Sequence, residues 1–441
     1  MDRPLWRALP EPPALLRPLP AGPDHHHRFR EREGPELKNP RLALTLLFVF
    51  VFVDVLGFSL ILPLLPYYAA TFGATPAVVG LLLGANALAQ LIGAPILGRL
   101  SDRYGRRPFL LLSIAGTVVS FLLLGLARSL WMLFFSRILD GLLGGNISLA
   151  QAYITDVTTE KERARGLGLI GAAFGLGFIF GPAIGGTLSA GGNYALPAFA
   201  AAGLAFLNLV GVFLWLPESL PPEERAEWAR SERTAVTARA LVEALRRPCV
   251  GPLLQTQLFS ALAFSTFETI FSLFAQKRLA LDARTTSYVL TYVGVLVVLV
   301  QGVGIRWLSA RFTDKQLVFG GAGLLALTLL AWALTPTLPV LLAVLAPLAL
   351  ASGVLRVAIS SALTKSVYPE EVGGTLGLSA SLNSLARVVS PSVGGFLLGS
   401  VGAAAPGILG ALLMAWTVFY VWRAVLFVPD LACPAPRRWT T

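Results

Sequence analysis

The chain runs to 441 residues, 55% of them hydrophobic and only 13% charged, with a formal net charge of +11 and a mean hydropathy of +0.70. A soluble domain of this make-up would expose more apolar surface than water tolerates, so the solvent is lipid and the backbone must cross it as helix or closed barrel. Apolar runs of about 20 residues select helix, and basic residues gathered in the loops on one side speak for a membrane surface and against nucleic acid.

Residues 1–41 are rich in Pro and Arg and lack an apolar core of signal-peptide type, which predicts a disordered cytoplasmic arm. The run His25-His26-His27 inside it reads as incidental, and two cysteines, Cys249 and Cys433, offer neither a disulfide framework nor a zinc site, so no metal is expected. Twelve apolar spans follow, near 42–69, 77–97, 109–127, 131–154, 164–188, 194–215, 250–274, 285–305, 316–333, 338–363, 373–398 and 403–427. With both termini inside, the outer loops hold only Arg128, Lys277, Arg278 and Arg284, while Arg137, Arg356 and Arg387 fall within spans. That asymmetry orients the chain in a cell membrane.

The first span carries Asp54, about 18 Å from its start and so near the bilayer middle, followed by Gly57, Pro63 and Pro66. A carboxylate at that depth must be neutral at times, or paired, unless it serves to cap broken backbone near Gly57. Between the second and third spans lies Gly98-Arg99-Leu100-Ser101-Asp102-Arg103-Tyr104-Gly105-Arg106-Arg107, a charged, water-facing turn. In the fourth span Arg137, Gly141, Gly144, Ser148 and Gln151 share one helical stripe, with Asp140 and Asn146 beside it. Arg137, about 10 Å below the outer surface, lies near the level of Asp54. It pairs either with Asp54, exchanging as protons or substrate arrive, or permanently with Asp140 at i+3. The fifth span holds Gly171, Gly175, Gly177, Gly181, Pro182, Gly185 and Gly186, which let helices approach backbone to backbone around a bend.

A hydrophilic linker over 217–249 divides two six-helix sets, 42–216 and 250–428, and its mixed charge predicts an amphipathic helix on the inner surface; a tail over 429–441 closes the chain. The second set offers Glu268 among Phe264, Phe267, Phe271 and Phe274, a frame suited to an organic cation or to a protonated carboxyl, and also Arg356, Asn383 and Arg387, of which Arg387 is deep enough to bind an anion or pair with Glu268. The sets repeat. Leu100–Tyr104 matches Leu308–Phe312 at a shift of 208, with Ala310 in place of the aspartate, and Gly181–Gly186 matches Ser390–Gly395 at a shift of 209.

These motifs resemble one family. Gly-x-Leu-Ser-Asp-Arg-x-Gly-Arg-Arg is similar to the loop between the second and third helices of the major facilitator superfamily of secondary transporters. The resemblance implies that Gly98, Asp102, Arg103, Gly105, Arg106 and Arg107 form a cytoplasmic gate latch, Asp102 pairing with the neighbouring bundle in the outward-open state. Asp54-x-x-Gly57 followed by two prolines resembles the first helix of drug/proton antiporters, including the tetracycline exporters. Arg137 followed by Gly141 resembles a fourth-helix motif linked to proton transfer. Gly177-x-x-x-Gly181-Pro182-x-x-Gly185-Gly186 is similar to the signature of proton-exchanging exporters. The expectation is therefore an all-α membrane protein of twelve transmembrane helices in two pseudo-symmetric bundles. It is expected to be a monomer without bound cofactor that uses the proton gradient to export an amphipathic drug or metabolite, with Asp54, Arg137, Asp140, Asn146, Gln151, Glu268, Asn383 and Arg387 lining the path. The alternative is an organic-anion or other solute transporter without proton antiport. The chain has no phosphate loop of Gly-x-x-x-x-Gly-Lys-Ser/Thr type and no His-x-x-Glu-His cluster, which argues against an ATP-driven pump and against an enzyme.

Overall fold

The computed structural model describes residues 40–158, 160–220, 238–247, 250–368 and 371–426. The histidine run, most of the arm, Cys249, Cys433 and the tail lie outside them. The described chain is helical: α1 (Pro40–Ile61), α2 (Leu65–Thr71), α3 (Pro76–Tyr104), α4 (Arg106–Gly125), α5 (Leu130–Leu143), α6 (Asn146–Val157), α7 (Glu160–Leu188) and α8 (Ala195–Trp215) make the first half. After α9 (Ala238–Arg246) come α10 (Val250–Leu279), α11 (Ala283–Leu299), α12 (Ile305–Ser309), α13 (Asp314–Leu334), α14 (Leu338–Lys365), α15 (Val372–Ser400) and α16 (Ala405–Val421).

Helix boundaries follow local chemistry. Thr75 accepts from Val78 N and caps α3, Thr313 and Gln316 form a capping box on α13, and Asp282 accepts from Thr285 N to cap α11. Gly105, at φ +109°, both ends α3 and begins α4, a conformation that a side chain would strain.

Ten helices among the described residues are long and apolar enough to cross a membrane. The other two expected spans differ from the reading in instructive ways. The fourth is not one helix: it breaks at Gly144 and Gly145 into α5 and α6, each too short to span alone, so the stripe from Arg137 to Gln151 is not continuous. The eleventh, α15, is 29 residues long, but its many Gly and Ser residues dilute its apolarity.

Among the described residues the two halves share an apolar core on one face. On the side away from the Gly98–Arg107 turn, Leu60, Tyr68, Phe121 and Ala198 join the same apolar core as Phe267, Leu345 and Trp332; on the turn side, Leu47, Phe50, Ile114 and Tyr153 form a separate core confined to the first half. Small residues make the junction: Gly80 faces the Pro391 carbonyl and Gly395 faces Pro76, so a methyl group at either position would strike backbone. Tyr67 completes the seal, its hydroxyl donating to Leu281 O at 2.9 Å and accepting from Thr286 Oγ1 at 2.6 Å.

The internal repeat is visible in the packing. Gly185 and Gly186 of α7 face Leu60 of α1 and Ser287 of α11; Gly394 and Gly395 of α15, 209 positions later, face Ile270 of α10 and Gly80 of α3. Each pair therefore contacts the first helix of its own half with one glycine and the opposite half with the next.

Candidate functional site

A cavity opens between the halves on the turn side, about 520 Å³ in volume, and continues inward to a recess of about 150 Å³. Ala87, Gln90, Gly144, Ile147, Ser265, Glu268 and Arg387 line both, so they form one path. Helices α1, α3, α4, α5 and α6 supply the polar side chains of the first half, and α10, α14 and α15 those of the second.

Asp54 faces the recess from α1, and Asn146 Nδ2 donates to its Oδ1; the same amide reaches Thr117 Oγ1 at 3.3 Å. Arg137 does not pair with Asp54 here. Its Nη1 lies 3.4 Å from Asp140 Oδ2, Nη2 donates to Ser120 and Ser136 at 3.1 and 3.2 Å, and the guanidinium sits over the Phe121 ring. The i+3 pairing is the one adopted. Asn86, from the neighbouring α3, donates both to Asp140 Oδ2 at 3.2 Å and to the Arg137 carbonyl at 2.9 Å. Asn86 and Gln90, an Asn-x-x-x-Gln pair one turn apart inside an apolar span and absent from the expected lining, are the sequence signal for this polar wall.

In the second half Glu268 and Arg387 line both parts of the cavity, and Arg356 lines the outer part with its ring neighbour Phe264 at 5.9 Å. Arg356 is thus a cavity residue. Glu268 forms no ion pair with either arginine among the described residues, although Arg356 is within electrostatic reach of both. Asn383 Oδ1 accepts from Gln257 Nε2 at 2.9 Å beside them. The aromatic frame expected around Glu268 is not there: Phe267, Phe271 and Phe274 are buried, Phe267 and Phe274 against Trp332, and only Phe264 reaches the cavity. Gln151 is exposed and lines neither part of the path.

The glycines of α7 shape the wall without lining it. Gly177, Gly181 and Gly185 lie against Val55, Ser59 and Leu60 of α1, and Ser59 Oγ donates to the Gly177 carbonyl at 2.8 Å; Pro182 sits inside the helix. Gly171, by contrast, faces open space.

At the turn, Arg106 is buried rather than water-facing. It pairs with Asp102, with Asp156 at 3.0 Å and with Ser101 Oγ at 2.8 Å. Glu218 accepts from the backbone N–H groups of Arg106 and Arg107 at 2.7 and 3.2 Å and caps α4. Arg103 lies over Tyr104, Arg107 over Phe213, and nothing crowds Gly98. The partners described here for Arg106 and Arg107 belong to the first half, and the cavity between the halves opens on this same side. Among the described residues no cluster of three or more His, Cys, Asp or Glu side chains is placed to hold a metal ion.

Against known proteins, residues 47–306 and again 253–436 match the family model described as Major Facilitator Superfamily. The chain is 29% identical over 395 residues to mouse solute carrier family 22 member 18, covering 88% of this chain and 97% of that protein. It is 31% identical over 370 residues to the class D tetracycline resistance protein of Salmonella ordonez, covering 81% and 90%. Among solved structures, that of the human organic anion transporter MFSD10 (TETRAN) superposes with a TM-score of 0.65 at 24% identity, covering 87% of this chain and 99% of that one, a likeness of fold.

Proposed function

Because this chain belongs to the major facilitator superfamily and is thus a multi-pass membrane transporter of small molecules, we propose that it exports an amphipathic organic solute in exchange for protons. The observation that carries this reading is Asp54: a carboxylate at mid-span, lining the path, whose partner is the neutral amide of Asn146, while the nearby guanidinium of Arg137 is occupied by Asp140. Such a group can take and release a proton without breaking an ion pair, and the path gives it access to solvent from one side at a time. The gradient supplies the energy, about 2.3 kcal/mol for one charge through 100 mV.

In this reading the arginine-rich turn side is cytoplasmic, as are both termini, and the conformation described is inward-facing. The bundles 42–216 and 250–428 rock about the cavity, tethered by 217–249, in a monomer of the cell membrane that needs no bound cofactor. The glycine seam between α1 and α7 keeps those helices in contact through the cycle, which limits proton leak.

Uptake into inside-out vesicles, with a panel of tetracyclines, lipophilic cations and organic anions, tests it. Substrate entry should dissipate an imposed pH gradient, and Asp54→Asn should abolish that exchange; equal accumulation with the gradient collapsed would refute antiport. A second reading, transport of an organic anion without proton exchange, is favoured by Arg356 and Arg387, which face the path with no carboxylate bonded to them among the described residues. It expects Asp54→Asn to keep concentrative transport and Arg387→Ala to lose it.

A further inference from the structure

Asp54 and the break in the fourth span are joined by one residue. Asn146 is the first residue of α6, immediately beyond Gly144 and Gly145, and the residue is 4% exposed. At the break the backbone leaves helix, with ψ +45° at Gly144 and +2° at Gly145, and its loosened carbonyls are taken by side chains of neighbouring helices: Gln90 Nε2 donates to Gly144 O at 3.0 Å and Ser113 Oγ to Leu143 O. The fold itself does not require this break. The matching place in the second half, 209 positions on, is Gly353, which lies inside the uninterrupted helix α14.

The amide of Asn146 has two ends, and only one is used. Its Nδ2 donates to Asp54 and Thr117, whereas its Oδ1 is buried without a partner. A carboxylate accepts and cannot donate; once protonated it offers an O–H that needs an acceptor. The unfilled Oδ1 is that acceptor, so a half-turn of the amide would exchange one bond for the other and, because Nδ2 would then leave Thr117 Oγ1, untie the start of α6 from α4. We propose that Asn146 is the positioning residue through which protonation of Asp54 shifts α6, with Gly144–Gly145 as the hinge. The inference rests on Asp54 as the proton site. The charged groups facing Asp54 around the recess are Arg137 and Asp140 on α5, Glu268 on α10 and Arg387 on α15.

The test uses the full chain in lipid nanodiscs, with Cys249 and Cys433 replaced by Ser and spin labels at Tyr104→Cys and Phe312→Cys, exposed equivalents on the turn side of the two halves. The label distance is followed against pH. In the otherwise unaltered protein two distances should interconvert with a single midpoint. Asn146→Ala, which removes a hydrogen bond to the charged carboxylate, should raise that midpoint by about one pH unit. Asn146→Ser, whose hydroxyl both donates and accepts, should bring it part of the way back, and this variant decides the matter if Asn146→Ala does not fold. A midpoint unchanged in both variants would overturn the role of Asn146 and leave Asp54 standing. Distances that ignore pH, or an Asp54→Asn variant that keeps the midpoint, would overturn both.

Discussion

Arg137 and Asp140 stand one turn apart on α5, with Asn86 and two serine hydroxyls closing the ring around them. Taking two charges out of water costs several kcal/mol each, and the pair survives there because nearly every polar atom is answered. Arg137→Ala should therefore leave Asp140 uncompensated and destabilise the protein by about 3–5 kcal/mol, whereas the double change Arg137→Met with Asp140→Leu should recover most of the loss. Unfolding in detergent, with both variants beside the unaltered protein, measures this. Sequence spacing placed Asp54, Arg137 and Asp140 near one another but left the choice of partner open, since i+3 proximity and cross-helix proximity look alike in a linear chain. Glu268 shows the opposite failure. Four phenylalanines around it suggested a cage, yet a one-turn spacing says which residues share a helix face and not which way that face is turned.

Helix α7 shows how the same residue type plays two parts along one element. Gly177, Gly181 and Gly185 recur every four residues and let α1 approach until a methyl group on Gly181 would collide with Ser59 and the α1 backbone; Gly171, nearly three turns before Gly181, touches nothing. Gly181→Ala should thus force the two helices apart at a cost of about 1–3 kcal/mol. Gly171→Ala should be neutral or slightly stabilising, within about 1 kcal/mol, because alanine is the better helix former. Thermal unfolding midpoints of the two single variants, measured together, separate the cases. The break between α5 and α6 was the element-scale feature the sequence concealed. Gly144-Gly145 in an apolar run looks the same whether the glycines serve close packing or a hinge, and it is Gln90 and Ser113 of the neighbouring helices that bond the opened backbone.

Across the whole molecule the repeat extends to charge. Arg106 of α4 pairs with Asp156 at the end of α6, and Asp314 of α13 pairs with Lys365 at the end of α14 at 2.6 Å. These are the same two places, 208 and 209 positions apart, with the signs exchanged. Each half keeps its own turn-side helix ends tied, so that the halves can separate there while glycine and Tyr67 contacts hold them together on the opposite face. Gly80→Val should prevent that opposite face from closing, because its side chain would enter the Pro391 carbonyl. A cysteine introduced at Ile61, 3% exposed in this conformation, should then react several-fold faster with a water-soluble thiol reagent than the same cysteine beside Gly80. An unchanged rate would mean that the seal does not depend on that contact.

What the sequence determined by itself was the solvent, the helical class, the membership of a repeated two-half architecture and the few ionisable groups worth following, since all of these depend on composition and spacing alone. The tertiary structure alone decided which partner each charge takes, where the fourth span breaks and which face of the molecule is shut. Those outcomes depend on how each helix is rotated about its axis and on what the neighbouring helix presents, and a one-dimensional pattern carries neither.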